Sequence, residues 1–149
     1  MREGTGFVRL AVERGTAVTE VDLAADARLF PLEVQSGLPL LSSTELAVDK
    51  VLAIFGRAEA RDFVDLAAVV DQHGLEALFR LAAEKDLGFS IDVFSEMLQR
   101  FDRLRQDEFG IGASAYQALT ARVRGWREMS LELGRTLGPE LRRDHGPGL

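Results

Sequence analysis

The apolar residues of this chain change their spacing near residue 42, and that change limits the folds open to it. From 7 to 30 they alternate or run in short stretches, FVRLAVE, AVTEVDLA and RLF, with Gly15 and Thr16 as a turn signal between the first two. This pattern predicts a β-hairpin followed by a short third strand. Pro31, Gly37 and Pro39 punctuate the next stretch, in which LPLL is a candidate for one more strand. From Ser42 onward the spacing is helical. Ser42 and Glu45 form a capping-box pair, and Leu46, Val48, Val51, Leu52, Ile54 and Phe55 then mark one apolar face over about 43 to 57.

The helical pattern continues to the end of the chain. A second helix is expected from about Arg61 to Gln72, closed at Gly74, and a third over 75 to 85. A fourth is expected over 90 to 104 with Ser90 as its N-cap, then a glycine-containing loop at DEFGIGAS, then a last helix from about Ala115 to Leu137. The fold class is therefore α+β, a small N-terminal β segment of three or four strands followed by about five helices. Within one structural domain this gives a β segment at 1–41, a helical region at 42–138 and a flexible tail at 139–149. There is no internal repeat. So few strands leave an edge and an apolar face to cover, and Phe7, Val8, Val18, Val21 and Leu23 are expected to find partners, in this chain or another.

Composition removes several chemistries. The 149 residues include no cysteine and only two histidines, His73 and His145, so thiolate sites are excluded and a histidine-built zinc site is not expected. Catalysis would rest on carboxylates, Lys, Arg or hydroxyls. A formal net charge of -6 argues against general nucleic-acid binding, which needs a surplus of basic side chains. No apolar stretch is long enough to span a membrane and none at the N-terminus resembles a signal peptide, so a cytoplasmic location is expected. Only Lys50 and Lys85 are lysines among the 18 basic residues, which singles out both.

The densest polar cluster lies in VDKVLAIFGRAEARDFVDL, residues 48 to 66. Lys50 and Arg57 share a face of the first helix, while Arg61, Asp62 and Asp65 open the second, and a tight hairpin can bring them together. They suit an internal ion-pair cluster, with Lys50 or Arg57 pairing Asp65. The functional alternative is an anion site, in which Lys50 and an arginine face phosphates while Asp65 orients the lysine or accepts a proton. Asp22, within Val21-Asp22-Leu23 of a strand read as central, is a candidate magnesium ligand, with Glu20 on the same face. Taken alone its alternation also fits a solvent-facing carboxylate. Seven arginines of the C-terminal half lie near Tyr116 and Trp126, an arrangement that can hold RNA but that also describes a solvated helix face.

The strings VTEVDLAADARLFP, LPLLSSTELAVDKVLAIFGRAEARDFVDLAAVV and LAAEKDLGFSIDVFSEMLQRFDRL resemble the C-terminal portion of the nucleotidyltransferase AbiEii/AbiGii toxin family, in the DNA polymerase β-like superfamily. The resemblance implies NTP-dependent nucleotidyl transfer with Mg2+, for some members onto tRNA, in toxin–antitoxin and phage-defence systems. It implies catalytic roles for Lys50 and Asp65, nucleotide contacts for Arg57, Arg61 and Asp62, and a metal-associated role for Asp22. The family's Gly-Ser turn and Thr-x-Asp-x-Asp strand have no counterpart here. The expectation is a truncated member, inactive alone, that binds an NTP, an antitoxin or complementary chain, or a second copy of itself, with RNA a partner only if it is active. A non-enzymatic interaction module is the alternative.

Overall fold

A computed structural model describes residues 6–144. Two antiparallel hairpins precede six α-helices, which makes the chain α+β. Strands β1 (Phe7–Arg14) and β2 (Ala17–Ala24) form one two-stranded sheet, and β3 (Glu33–Gln35) with β4 (Leu38–Leu40) forms a second. Gly15 takes φ 63 in the first turn, and Ser36 and Gly37 take φ 52 and 80 in the second. Two successive positive φ values are what a two-residue turn matching the twist of its strands requires, and glycine removes half of their cost.

The RLF stretch is not a strand. Residues 25–32 form an irregular connection, because the amides of Leu29 and Phe30 both donate to the Glu45 carboxylate at 2.9 Å instead of to a neighbouring strand. That bond also halves the expected capping box. Ser42 caps α1 (Ser43–Gly56) by accepting from the Glu45 amide at 3.1 Å, but the Glu45 carboxylate turns inward and does not return to the cap.

Helix α2 (Ala60–Val69) follows α1 after three residues, and a 3-10 turn, 70–72, leads to Gly74 at φ 77. Helix α3 (Leu75–Lys85) comes next. The expected fourth helix is shorter than its pattern suggests: α4 (Ile91–Leu98) passes into a 3-10 turn at 99–103. A further 3-10 turn occupies 106–109 within the expected loop, and α5 (Ala113–Thr136) is the longest helix described. Where a frayed tail is expected, Gly138–Asp144 form a short α6 behind the buried Leu137. His145 lies outside the described residues.

The core belongs to the helices. Phe63, Phe79, Phe94, Ile54, Leu66, Leu78 and Leu98 are fully buried, each contributing about 1.5–3 kcal/mol by leaving water. Phe79 meets Phe94 edge-on at 4.9 Å, and Phe101, Phe109 and Tyr116 form a second aromatic group. The β1–β2 hairpin stands apart as an arm. Phe7, Val8, Leu10, Val12, Val18 and Leu23 are all exposed, and β2 is an edge strand rather than a central one.

Candidate functional site

The turn between α1 and α2 sets the geometry of the polar cluster. Both Arg57 and Ala58 donate their amides to the Ala53 carbonyl, and Ala58 is buried at φ 50, a left-handed conformation that closes α1 and reverses the chain. Helix α2 therefore runs back along α1. Lys50 and Asp65, on facing sides of this hairpin, meet with Lys50 Nζ donating to Asp65 Oδ2 at 2.8 Å. Their side chains are 25% and 40% exposed, so the pair is partly exposed and costs little desolvation.

Arg57 goes elsewhere. Its Nε and Nη2 donate to the two oxygens of Asp62 at 2.9 and 2.8 Å, and the Asp62 carboxylate also accepts from the Glu59 amide at 2.9 Å. Asp62 is fully buried. Burial works against its charge, but Arg57 and the Glu59 amide outweigh that cost and hold its carboxyl below the usual carboxylate range. Asp62 thus caps α2 and fixes Arg57. Arg61 borders a surface concavity of about 350 Å3 with Arg100 and Glu108.

Asp22 does not join the helices. It lies on the arm, where Arg9 Nε and Nη2 grip its oxygens at 2.7 and 2.9 Å. Arg9 lowers its pKa. Glu20 shares its face, as the alternation implies, yet among the described residues no group of three metal-ligating side chains converges. Asp22, the carboxylate singled out as a magnesium ligand, is paired with Arg9 in this structure.

The buried cluster least legible in the sequence centres on Lys85. Its Nζ donates to Glu45 Oε1 and to Asp49 Oδ1, each at 2.5 Å, with Asp26 Oδ2 at 3.6 Å. The Lys85 and Glu45 side chains are 4% and 1% exposed. Burial opposes the charge on each. The bonds win for Glu45, which is lowered, and for Lys85, which is raised, whereas burial wins for Asp49, whose carboxyl is pushed up. The cluster ties α1 to α3 and, through Leu29 and Phe30, to the segment leading from the arm. The scarcity of lysine points to Lys85, but the capping reading of Glu45 hides its partner.

The C-terminal aromatics are not free stacking platforms. Trp126 is buried, and Tyr116 stacks on Phe101 with centroids 5.8 Å apart. Arg122 pairs with Asp71, and Arg127 reaches Asp102 at 3.0 Å and the Leu98 carbonyl at 2.9 Å. No helix among the described residues is long and apolar enough to cross a membrane.

Compared with known proteins, residues 8–130 match the family model described as nucleotidyl transferase AbiEii toxin, Type IV TA system. No curated protein and no solved structure matches the chain. The matched span includes the arm, the Lys50–Asp65 pair and the Lys85 cluster.

Proposed function

Because this chain belongs to the nucleotidyl transferase AbiEii toxin family, we propose that it carries the helical half of a nucleotidyltransferase site, in which Lys50 binds the phosphates of an NTP and Asp65 orients the lysine. The observation that carries this reading is the half-open Lys50–Asp65 pair across the α1–α2 hairpin. A lysine held by one carboxylate keeps two N–H donors for phosphate oxygens, and a phosphate would add to its charge compensation. Arg57, held by Asp62, supports this surface from about two turns further along, and Arg61 follows it at the start of α2.

Nucleotidyl transfer joins an acceptor hydroxyl oxygen to the α-phosphorus, breaks the α–β phosphate bond and releases pyrophosphate. Such a reaction depends on positioning and on neutralising charge, normally by paired metal ions. No Asp-x-Asp sequence occurs in the 149 residues. Our reading is that these residues alone bind nucleotide without transferring it, that the missing carboxylates come from polypeptide outside them, and that tRNA labelling by the chain alone is undetectable. The setting we propose is a cytoplasmic phage-defence toxin with an antitoxin partner.

Calorimetric titration with each magnesium NTP tests the binding. Saturable heat is expected, weakened about tenfold or more in Lys50→Ala, the loss of one charge-assisted contact. No heat with any NTP would overturn the reading. One observation favours a second reading: the arm exposes apolar side chains along both strands, as an interaction module would. Absence of NTP binding, together with capture of an antitoxin through the arm, would establish that alternative.

A further inference from the structure

The arm has two faces and two edges, and its register assigns every side chain to them. Directly opposed residues of an antiparallel pair share a face. Val8, Leu10, Val12, Val21 and Leu23 therefore share one largely apolar face with Thr19 and Arg14, and Arg9, Ala11, Glu13, Glu20 and Asp22 lie on the other with Phe7 and Val18. The two-residue turn makes Arg14 and Ala17 a hydrogen-bonded pair, and the Ala25 amide donating to the Gly6 carbonyl keeps the same phase. The backbone groups of Phe7, Arg9, Ala11 and Glu13 consequently point outward along β1, and those of Val18, Glu20, Asp22 and Ala24 outward along β2.

We propose that β1 pairs with β1 of a second copy of this chain, antiparallel about a two-fold axis at Ala11, giving a four-stranded sheet. A two-fold ladder must set outward-pointing residues opposite one another. Centred on Ala11, it places Arg9 against the partner's Glu13 twice and Leu10 against the partner's Val12 twice, so opposite charges meet and the apolar face continues across all four strands. The β2 edge offers no such match. Centred on Val21 it sets Glu20 against the partner's Asp22 twice, and centred on Glu20 or Asp22 it sets that acid against itself. Like charges directly opposed are destabilising, and β2 carries no basic residue, so no two-fold register of that edge matches opposite charges as the Ala11-centred ladder of β1 does. A seven-residue ladder buries well under the ~800 Å2 per partner of a standard stable interface, so this dimer is weak and forms with rising concentration. Neither Lys50 nor Asp65 takes part, so the pairing stands independently of the nucleotide reading.

The absence of native cysteine allows a direct test. Hydrogen-bonded antiparallel partners have Cα atoms about 5.5 Å apart, inside the range a disulfide spans. Under mild oxidation at high concentration, Ala11→Cys is expected to form a covalent dimer several times faster than Glu20→Cys, also an exposed site but on the rejected edge. Adding Glu13→Arg to Ala11→Cys is expected to slow the cross-link. Equal rates at the two cysteines, or a native chain whose sedimentation coefficient does not rise with concentration, would overturn the pairing.

Discussion

Lys85, at the last residue of α3, donates to Glu45 in the first turn of α1, forty residues earlier, with both side chains almost completely removed from solvent. Breaking a buried pair by removing one partner leaves an uncompensated charge, at a cost of about 3–5 kcal/mol. Lys85→Ala strands Glu45 beside Asp49 and is expected to lose that much in urea-induced unfolding. The amides of Leu29 and Phe30 should also exchange hydrogen faster than in the native chain. Unchanged stability in Lys85→Ala would show that the cluster is not formed in solution.

The same cluster has a signed pH response. Lys85 is raised when folded, so its contribution is complete below the unfolded value of about 10.4 and is lost as pH climbs through the higher folded value. Glu45 is lowered, so its contribution is present above about 4.3 and is lost as pH falls through the lower folded value. Unfolding free energy should therefore fall at both extremes, and the alkaline fall should vanish in Lys85→Met. An alkaline limb identical in the two proteins would assign the loss to other groups.

Asp49 behaves in the opposite sense. Burial raises it despite Lys85, so the folded state takes up its proton more readily than the unfolded chain and ionisation at neutral pH costs stability. Asp49→Asn keeps an oxygen to accept from Lys85 while removing a charge the cluster holds in excess. Its change in stability at pH 7 is expected within about 0.5 kcal/mol of zero, against a clear loss for Glu45→Gln. A loss as large as that of Glu45→Gln would contradict this assignment.

Periodicity makes the helical part of this fold legible because the buried faces of α1 to α5 recur at the spacing a helix requires, and Ser42 and Ser90 announce two starts. The β arm is equally legible from Gly15 and its flanking alternation. What the sequence conceals is where polar side chains find partners across space. Glu45 sits at the spacing of a capping box, and only the fold shows Leu29, Phe30 and Lys85 competing for it more strongly. RLF looks like a strand, but its amides are consumed by that carboxylate. In the polar hairpin, spacing places Lys50, Arg57, Asp62 and Asp65 together but cannot say that Arg57 takes Asp62 and leaves Asp65 to Lys50.

That division separates two aspartates three residues apart. Asp62→Ala removes three hydrogen bonds from a fully buried position and one N-terminal cap of α2, and should cost about 2–4 kcal/mol. Asp65→Asn alters only a partly exposed ion pair and should cost no more than about 1 kcal/mol, with a native-like circular dichroism spectrum. If Asp65 serves nucleotide binding, its asparagine variant should instead weaken NTP affinity. An Asp62→Ala variant as stable as native would show that the bidentate Arg57 contact does not hold the hairpin.

The arm should unfold independently of the helical core. Its apolar face makes cross-strand contacts but no burial beneath the helices, and a two-stranded sheet alone is marginal in water. Leu10→Ser is therefore expected to change helical unfolding by less than about 0.5 kcal/mol, as at a surface position, whereas Phe79→Ala should cost about 3–5 kcal/mol. Both can be followed by Trp126 fluorescence, since that side chain is buried within the helices and reports their packing alone. The two losses should also add in the double variant, because no shared partner couples the sites. A large effect of Leu10→Ser on the Trp126 transition at low concentration would mean that the arm folds back onto the helices in solution.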